Sequence, residues 1–333
     1  MLSRVADSLY WLSRYLERAE NLARLVDVNR HDALDSTGAE DNEDIWKPLL
    51  YATCTEEAFT AAREKDDPQS VEVGTFIMFS EENPDSIRQC IATARENARM
   101  VRDQISEEMW LELNSIHLFM QSGDAEELWR RQPEALCREV IKFSLLFQGL
   151  TDATIVHDEG WQFVQLGKFI ERADKTSRIL DILTYFTEPE RTELASVLRS
   201  CSGFSAFRAE FRGDVTLPNV MSFLLFSQSF PRSVRFCVRR IDDVLHAITG
   251  VPIGAYSNEA ERLTGSVLAQ LNFSSVDSVW QTGLHDYIDG MQEKLNDIGQ
   301  RVFETYVLLP SEIRNVARPE GFHMQLQWQQ QQQ

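Results

Sequence analysis

One short pattern occurs twice, and this repetition constrains the fold more than any other feature of the chain. Residues 12–28 read LSRYLERAENLARLVDV, and residues 166–182 read LGKFIERADKTSRILDI, 154 positions later. FSEENPDSIRQCI (79–91) returns as FSQSFPRSVRFCV (226–238), 147 positions later. Two matches in the same order at nearly the same spacing imply a unit of roughly 150 residues repeated in tandem. Such a unit is expected to pack with itself about a pseudo-twofold axis. The drop in spacing places seven extra residues between the first and second helices of the first copy. The acidic stretch at 35–44 is the natural site, because a loop tolerates insertion best.

The period within each copy is helical. Leu9, Leu12, Leu16, Ala19, Ala23 and Val26 recur at steps of three and four, and no alternating strand pattern is evident. The expected fold is all-α: two units of roughly six helices each, packed as one pseudo-twofold helical bundle. The copies are placed at 1–156 and 157–310, with a low-complexity tail at 311–333 ending in QLQWQQQQQ. Expected helix starts are Asn83-Pro84, Asp124 with Glu127, Asp158, Thr187 with Glu190, Phe230-Pro231, Ser257, and Ser274 with Asp277.

Composition narrows the partners. The 333 residues carry a net charge of −19. Nucleic acid and anionic membranes both require a concentrated basic face, so neither is an expected partner. No apolar run reaches the ~18 residues of a membrane span, and the charged N-terminus lacks the features of a signal peptide. The cytoplasm is the expected compartment. The five cysteines form no CxxC pair. Cys54 and Cys201, like Cys90 and Cys237, stand 147 apart, which predicts small buried thiols at equivalent core positions or a pair meeting near the twofold axis.

Charge inside an apolar stripe marks the candidate site. Trp11, Tyr15, Arg18, Leu22 and Leu25 share one stripe of the first helix, and Gln165, Phe169, Arg172, Thr176 and Ile179 share its counterpart. An arginine cannot shed its charge, so Arg18 and Arg172 must reach water or a carboxylate. Neighbours on a helix point about 100° apart, so Glu17 does not face Arg18. A twofold arrangement resolves this by pairing Glu17 with Arg172 and Glu171 with Arg18. Arg14, Lys168 and His157 are expected to complete a central polar cluster. Glu20 and Lys175 read as ordinary surface charges in local i,i+4 pairs.

At these residues the chain resembles the bacterial alpha-E family, all-helical and named for its Glu-Arg motif. The resemblance runs from Met1 to about Val307 and rests on SRVADSLYWLSRYLERAENLARLVDV, ARENARMVRDQISEEMWLELN, HDEGWQFVQLGKFIERADKTSRILDI and FPRSVRFCVRRIDDVL. His157 stands where the family usually has arginine before Asp-Glu-Gly-Trp. The resemblance implies a setting beside circularly permuted ATP-grasp ligases and transglutaminase-like peptidases, hence a system that makes or modifies a peptide. The chain would then be an accessory helical partner of the ligase that binds the ligase itself, its peptide substrate or its product.

The alternative is an enzyme whose Glu17, Arg18, Glu171 and Arg172 act on a carboxylate- or phosphate-bearing substrate. A di-metal bundle would need Glu-x-x-His on inward faces. The one such motif is Glu320–His323 in the tail, while Asp27–His31 and His285–Asp289 lack paired carboxylates, so no metal and no cofactor is expected.

Overall fold

A computed structural model describes residues 1–37, 43–65 and 72–308. These residues fold into sixteen α-helices joined by turns, and among them there is no strand. The first eight are α1 (Ser3–Thr37), α2 (Glu43–Thr53), α3 (Glu56–Lys65), α4 (Val73–Phe79), α5 (Ile87–Met100), α6 (Glu107–Met120), α7 (Gly123–Arg131) and α8 (Pro133–Thr154). The next eight are α9 (Glu159–Asp181), α10 (Arg191–Ser200), α11 (Phe204–Glu210), α12 (Leu217–Met221), α13 (Val234–Thr249), α14 (Glu259–Phe273), α15 (Val276–Thr282) and α16 (Leu284–Phe303). A 3-10 turn follows α9, and π-helical turns follow α12 and α16. The expected tail at 311–333 and residues 38–42 of the acidic stretch lie outside the described residues.

Among the described residues each half therefore holds eight α-helices rather than the expected six, and local chemistry explains the extra breaks. Cys54 adopts φ 56°, and the amide of Thr55 donates to Leu50 O at 3.0 Å, which ends α2 and separates it from α3. Ser202 (φ 54°) and Gly203 do the same after α10. Pro133 opens α8 and so splits the expected sixth helix, and Gly283 at φ 94° separates α15 from α16. Several helix starts also shift. Ser86 and Ser233, not Pro84 and Pro231, stand next to α5 and α13, their hydroxyls accepting from the amides of Gln89 (3.3 Å) and Phe236 (3.1 Å). Asn258 caps α14, and Ser275 closes a capping box on α15.

The long helices α1 and α9 pack on each other at the centre. α1 also contacts α5, α8 and α10, and α9 contacts α13, α16 and α2. Each of these pairings of α1 thus has a counterpart at α9, and α2 and α10 each reach across to the other half's central helix. Gly167 makes the central contact possible. A Cβ at this position would lie 2.2 Å from the carbonyl oxygen of Tyr10, so a larger residue would push the helices apart.

Four of the five cysteines are buried and none is paired. Cys90 and Cys237 fit the expectation of equivalent buried thiols. Cys54 departs from it: it is exposed, because the left-handed turn sets it beside Ser202 in the order of elements rather than beside Cys201.

Candidate functional site

The central contact of α1 and α9 holds two networks of charge. In the first, Arg172 grips Glu17 with both ends of its fork, Nε donating to Oε1 and Nη2 to Oε2, each at 2.8 Å. In the second, Arg18 donates from Nε to Glu171 Oε1 at 2.7 Å and from Nη2 to Oε2 at 3.2 Å. Each Glu-Arg dipeptide therefore exchanges partners with the other, which resolves the angular mismatch within a single helix. The Glu17 and Glu171 side chains are 1% and 0% exposed, and those of Arg18 and Arg172 are 14% and 7% exposed, so these are interior pairs and not surface ones.

Further donors complete each network. Arg14 donates from Nε to Glu171 Oε2 at 2.7 Å and from Nη1 to Tyr10 Oη at 3.1 Å. Arg18 also bridges to Asp85. Around Glu17, Arg232 donates from Nη1 to Oε1 at 3.1 Å and pairs with Glu20 as well. Gln148 accepts from Arg172 Nη2 at 3.2 Å and donates to Glu20 Oε2 at 3.1 Å, where Ser144 Oγ also donates at 2.8 Å. Glu20, read from sequence as a surface charge, is fully buried. The local pair with Arg24 exists (2.8 Å), but the carboxylate's other contacts come from α8 and from the segment before α13. Lys175, read the same way, has a side chain 14% exposed and lies 3.2 Å from Asp174 and 3.7 Å from Glu171.

Of the residues proposed from sequence, Glu17, Arg18, Glu171, Arg172 and Arg14 meet directly. Lys168 stands beside Glu17 and Arg172, with its ammonium over the Phe169 ring at 4.9 Å. Burial and the Arg172 guanidinium lower it to about 8. His157 lies apart. It is exposed, stacks on Trp161 at 4.2 Å and contacts Asp152 O at 3.0 Å. Sequence reading missed Arg232, Gln148, Glu20 and Asp85. Asp85 and Arg232 occupy equivalent positions in the repeated FSEENPDSIRQCI and FSQSFPRSVRFCV segments, and a charge in both copies just ahead of a serine cap was the available signal.

The electrostatics restrict the chemistry. Burial alone would raise the Glu17 carboxyl, but Arg172 and Arg232 more than offset it and hold the group down to about 2. Glu171 is likewise held well below the carboxylate range, its burial outweighed by Arg14 and Arg18. Carboxylates this acidic, with arginine on both oxygens, are poor general bases at neutral pH. Among the described residues no group of three His, Cys, Asp or Glu side chains is placed to hold a metal ion. His285 turns to Asp181 at 3.1 Å, and His31 to the Asp27 carbonyl at 2.7 Å, while Glu320–His323 lies outside the described residues. No helix among those residues is long and apolar enough to cross a membrane.

An all-helical body built around exchanged Glu-Arg pairs matches the Alpha-E family, a predicted alpha-helical domain with a conserved ER motif, over residues 1–307. The chain belongs to this family. It is also similar to uncharacterised proteins of Mycobacterium bovis (25% identical) and Mycobacterium tuberculosis (25% and 24% identical in two strains), each match covering 95% of this chain. The chain spans 38% of the length of those relatives. No solved structure matches it.

Proposed function

We propose that the chain is an accessory helical partner of a circularly permuted ATP-grasp ligase, in a system that makes or modifies a peptide, and that it works by binding rather than catalysis. The observation that carries this reading is the closure of the central carboxylates. Both oxygens of Glu17 and of Glu171 are engaged by arginine, which suits a rigid scaffold and disfavours either carboxylate as the general base of the enzyme alternative. The mycobacterial relatives support it further, since there the matched segment is a minor part of a longer chain, as expected of a module that works with others. A transglutaminase-like protein is a second partner in the same reading. A partner of an ATP-consuming ligase fits the cytoplasm. We also read the two halves as a tandem duplication, on the joint recurrence of sequence, element order and contacts.

Co-expression with a circularly permuted ATP-grasp protein from the same genome tests the proposal. The two should elute together in gel filtration, and the purified chain alone should turn over no ATP or peptide. Separate elution, combined with turnover by the isolated chain, would overturn it.

A further inference from the structure

Next to the Glu171 network, α1, α9, α16 and the turn after α16 enclose a cavity of about 350 Å³, at the small end of the ~300–1,000 Å³ typical of ligand sites. Trp11, Phe163, Phe303 and Tyr306 supply aromatic walls. Three charged groups complete the lining: Asp7 and Arg14 on one stripe of α1, and Asp174 of α9, whose carboxylate is already paired with Lys175 and Arg178. Asp7 Oδ1 is buried and has no hydrogen-bond partner. Burial raises its carboxyl above the usual range, with only partial relief from Trp11. Arg14 spends Nε on Glu171 and Nη1 on Tyr10, and its Nη2 makes no hydrogen bond among the described residues. Largely apolar walls, with an acid that keeps one oxygen unpartnered at one end and a guanidinium at the other, form a small polar-ended slot.

We infer that this cavity binds a short peptide with free termini, its ammonium on Asp7, its carboxylate on Arg14 and an apolar side chain among the aromatic rings. The spacing selects the length. Asp7 and Arg14 are two helical turns apart, about 10 Å along the axis between backbone positions, and the longer Arg14 side chain reaches back over Trp11, its guanidinium carbon 4.9 Å from the ring centroid. An extended residue spans ~3.3–3.6 Å, so a peptide of two or three residues is long enough to reach both charges.

Gly299 supplies an independent observation. It lines the same cavity from within α16, where glycine weakens a helix relative to alanine. Packing does not demand it, since a Cβ there would meet a single neighbour within 4 Å, Tyr10 Oη at 3.6 Å. What its smallness does is keep the slot open. Arg14 also ties the ligand's carboxylate end to the buried Glu171 network, so binding reports directly to the central contact.

This inference deepens the accessory reading by naming what the body would hold, yet it is tested on the chain alone and can fail separately from the ligase partnership. Calorimetric titration of the full chain would use Gly-Phe, Phe-Gly and Gly-Gly-Phe as probes. N-acetyl and C-terminal amide forms of each, and free phenylalanine, would serve as controls. At least one free peptide should bind, with its capped forms and phenylalanine at least tenfold weaker. Gly299→Leu should abolish binding without lowering the melting temperature. If that variant is unstable, Asp7→Asn should weaken the free peptide at least fivefold and leave its N-acetyl form unchanged. Binding by none of the three probes, equal binding of capped and free forms, or indifference to Asp7→Asn would overturn the inference.

Discussion

Arg18 and Arg172 show what an arginine must do when helix periodicity aims it inward. Each finds a carboxylate from the opposite central helix within 2.8 Å. This much was legible in sequence, because the Glu-Arg dipeptide recurs at one position of a wide apolar face. The rest of the network was not. Arg232 reaches Glu17 from far along the chain, and Glu20 looks like a surface residue in any local i,i+4 rule although it is fully buried. Helix periodicity reports which face a residue lies on; it does not report which other element covers that face. The thiols make a residue-scale prediction. Burial raises Cys137, Cys201 and Cys237 to about 12 and Cys90 further, while Cys54 is exposed, with Arg178 Nη1 3.0 Å from its sulfur. A thiol-specific disulfide reagent should therefore titrate one thiol per native chain and five in denaturant. Cys54→Ser should reduce the native count to zero, and a native count of two or more would contradict the burial pattern.

At the scale of elements, long helices were easier to place than the breaks between short ones. The start of α9 follows from Asp158, whose carboxylate accepts from the amide of Gly160 at 2.9 Å. The ends of α2 and α10 escaped notice because Cys54 and Ser202 are not residues that advertise a left-handed turn. The contact between α1 and α9 depends on one residue of special shape. Gly167→Ala would set a methyl carbon 2.2 Å from the Tyr10 carbonyl, and backbone cannot swing aside as a side chain can. The expected cost is about 3 kcal/mol, the upper part of the overpacking range, read as a lower urea midpoint. Gly149, whose Cβ would meet nothing within 4 Å, is the control, and Gly149→Ala should be neutral or stabilising. Equal effects at the two sites would mean that the helices do not approach as closely as described.

For the whole molecule, the two networks make stability depend on acid in a defined window. The folded-state carboxyl of Glu17 is depressed from 4.5 to about 2, and that of Glu171 is also depressed. The unfolded chain then binds more protons, so this stability is complete above about pH 4.5 and is lost as pH falls toward 2. Urea midpoints measured from pH 6 to pH 2.5 should drop below pH 4.5, and Glu17→Gln should be less stable at pH 6 with a shallower acid slope. An unchanged slope in the variant would place the acid sensitivity elsewhere.

The central claim is that the halves clasp each other through exchanged Glu-Arg pairs, and a double-mutant cycle tests it most directly. Glu17→Gln, Arg172→Met and the double variant would be compared by urea unfolding, alongside the same cycle for Glu171→Gln and Arg18→Met. Each single change should cost about 3–5 kcal/mol, since it strands a buried charge. Each double variant should recover part of that loss, with a coupling of about 1–3 kcal/mol. Single effects that add within about 0.5 kcal/mol in both cycles would contradict the clasp.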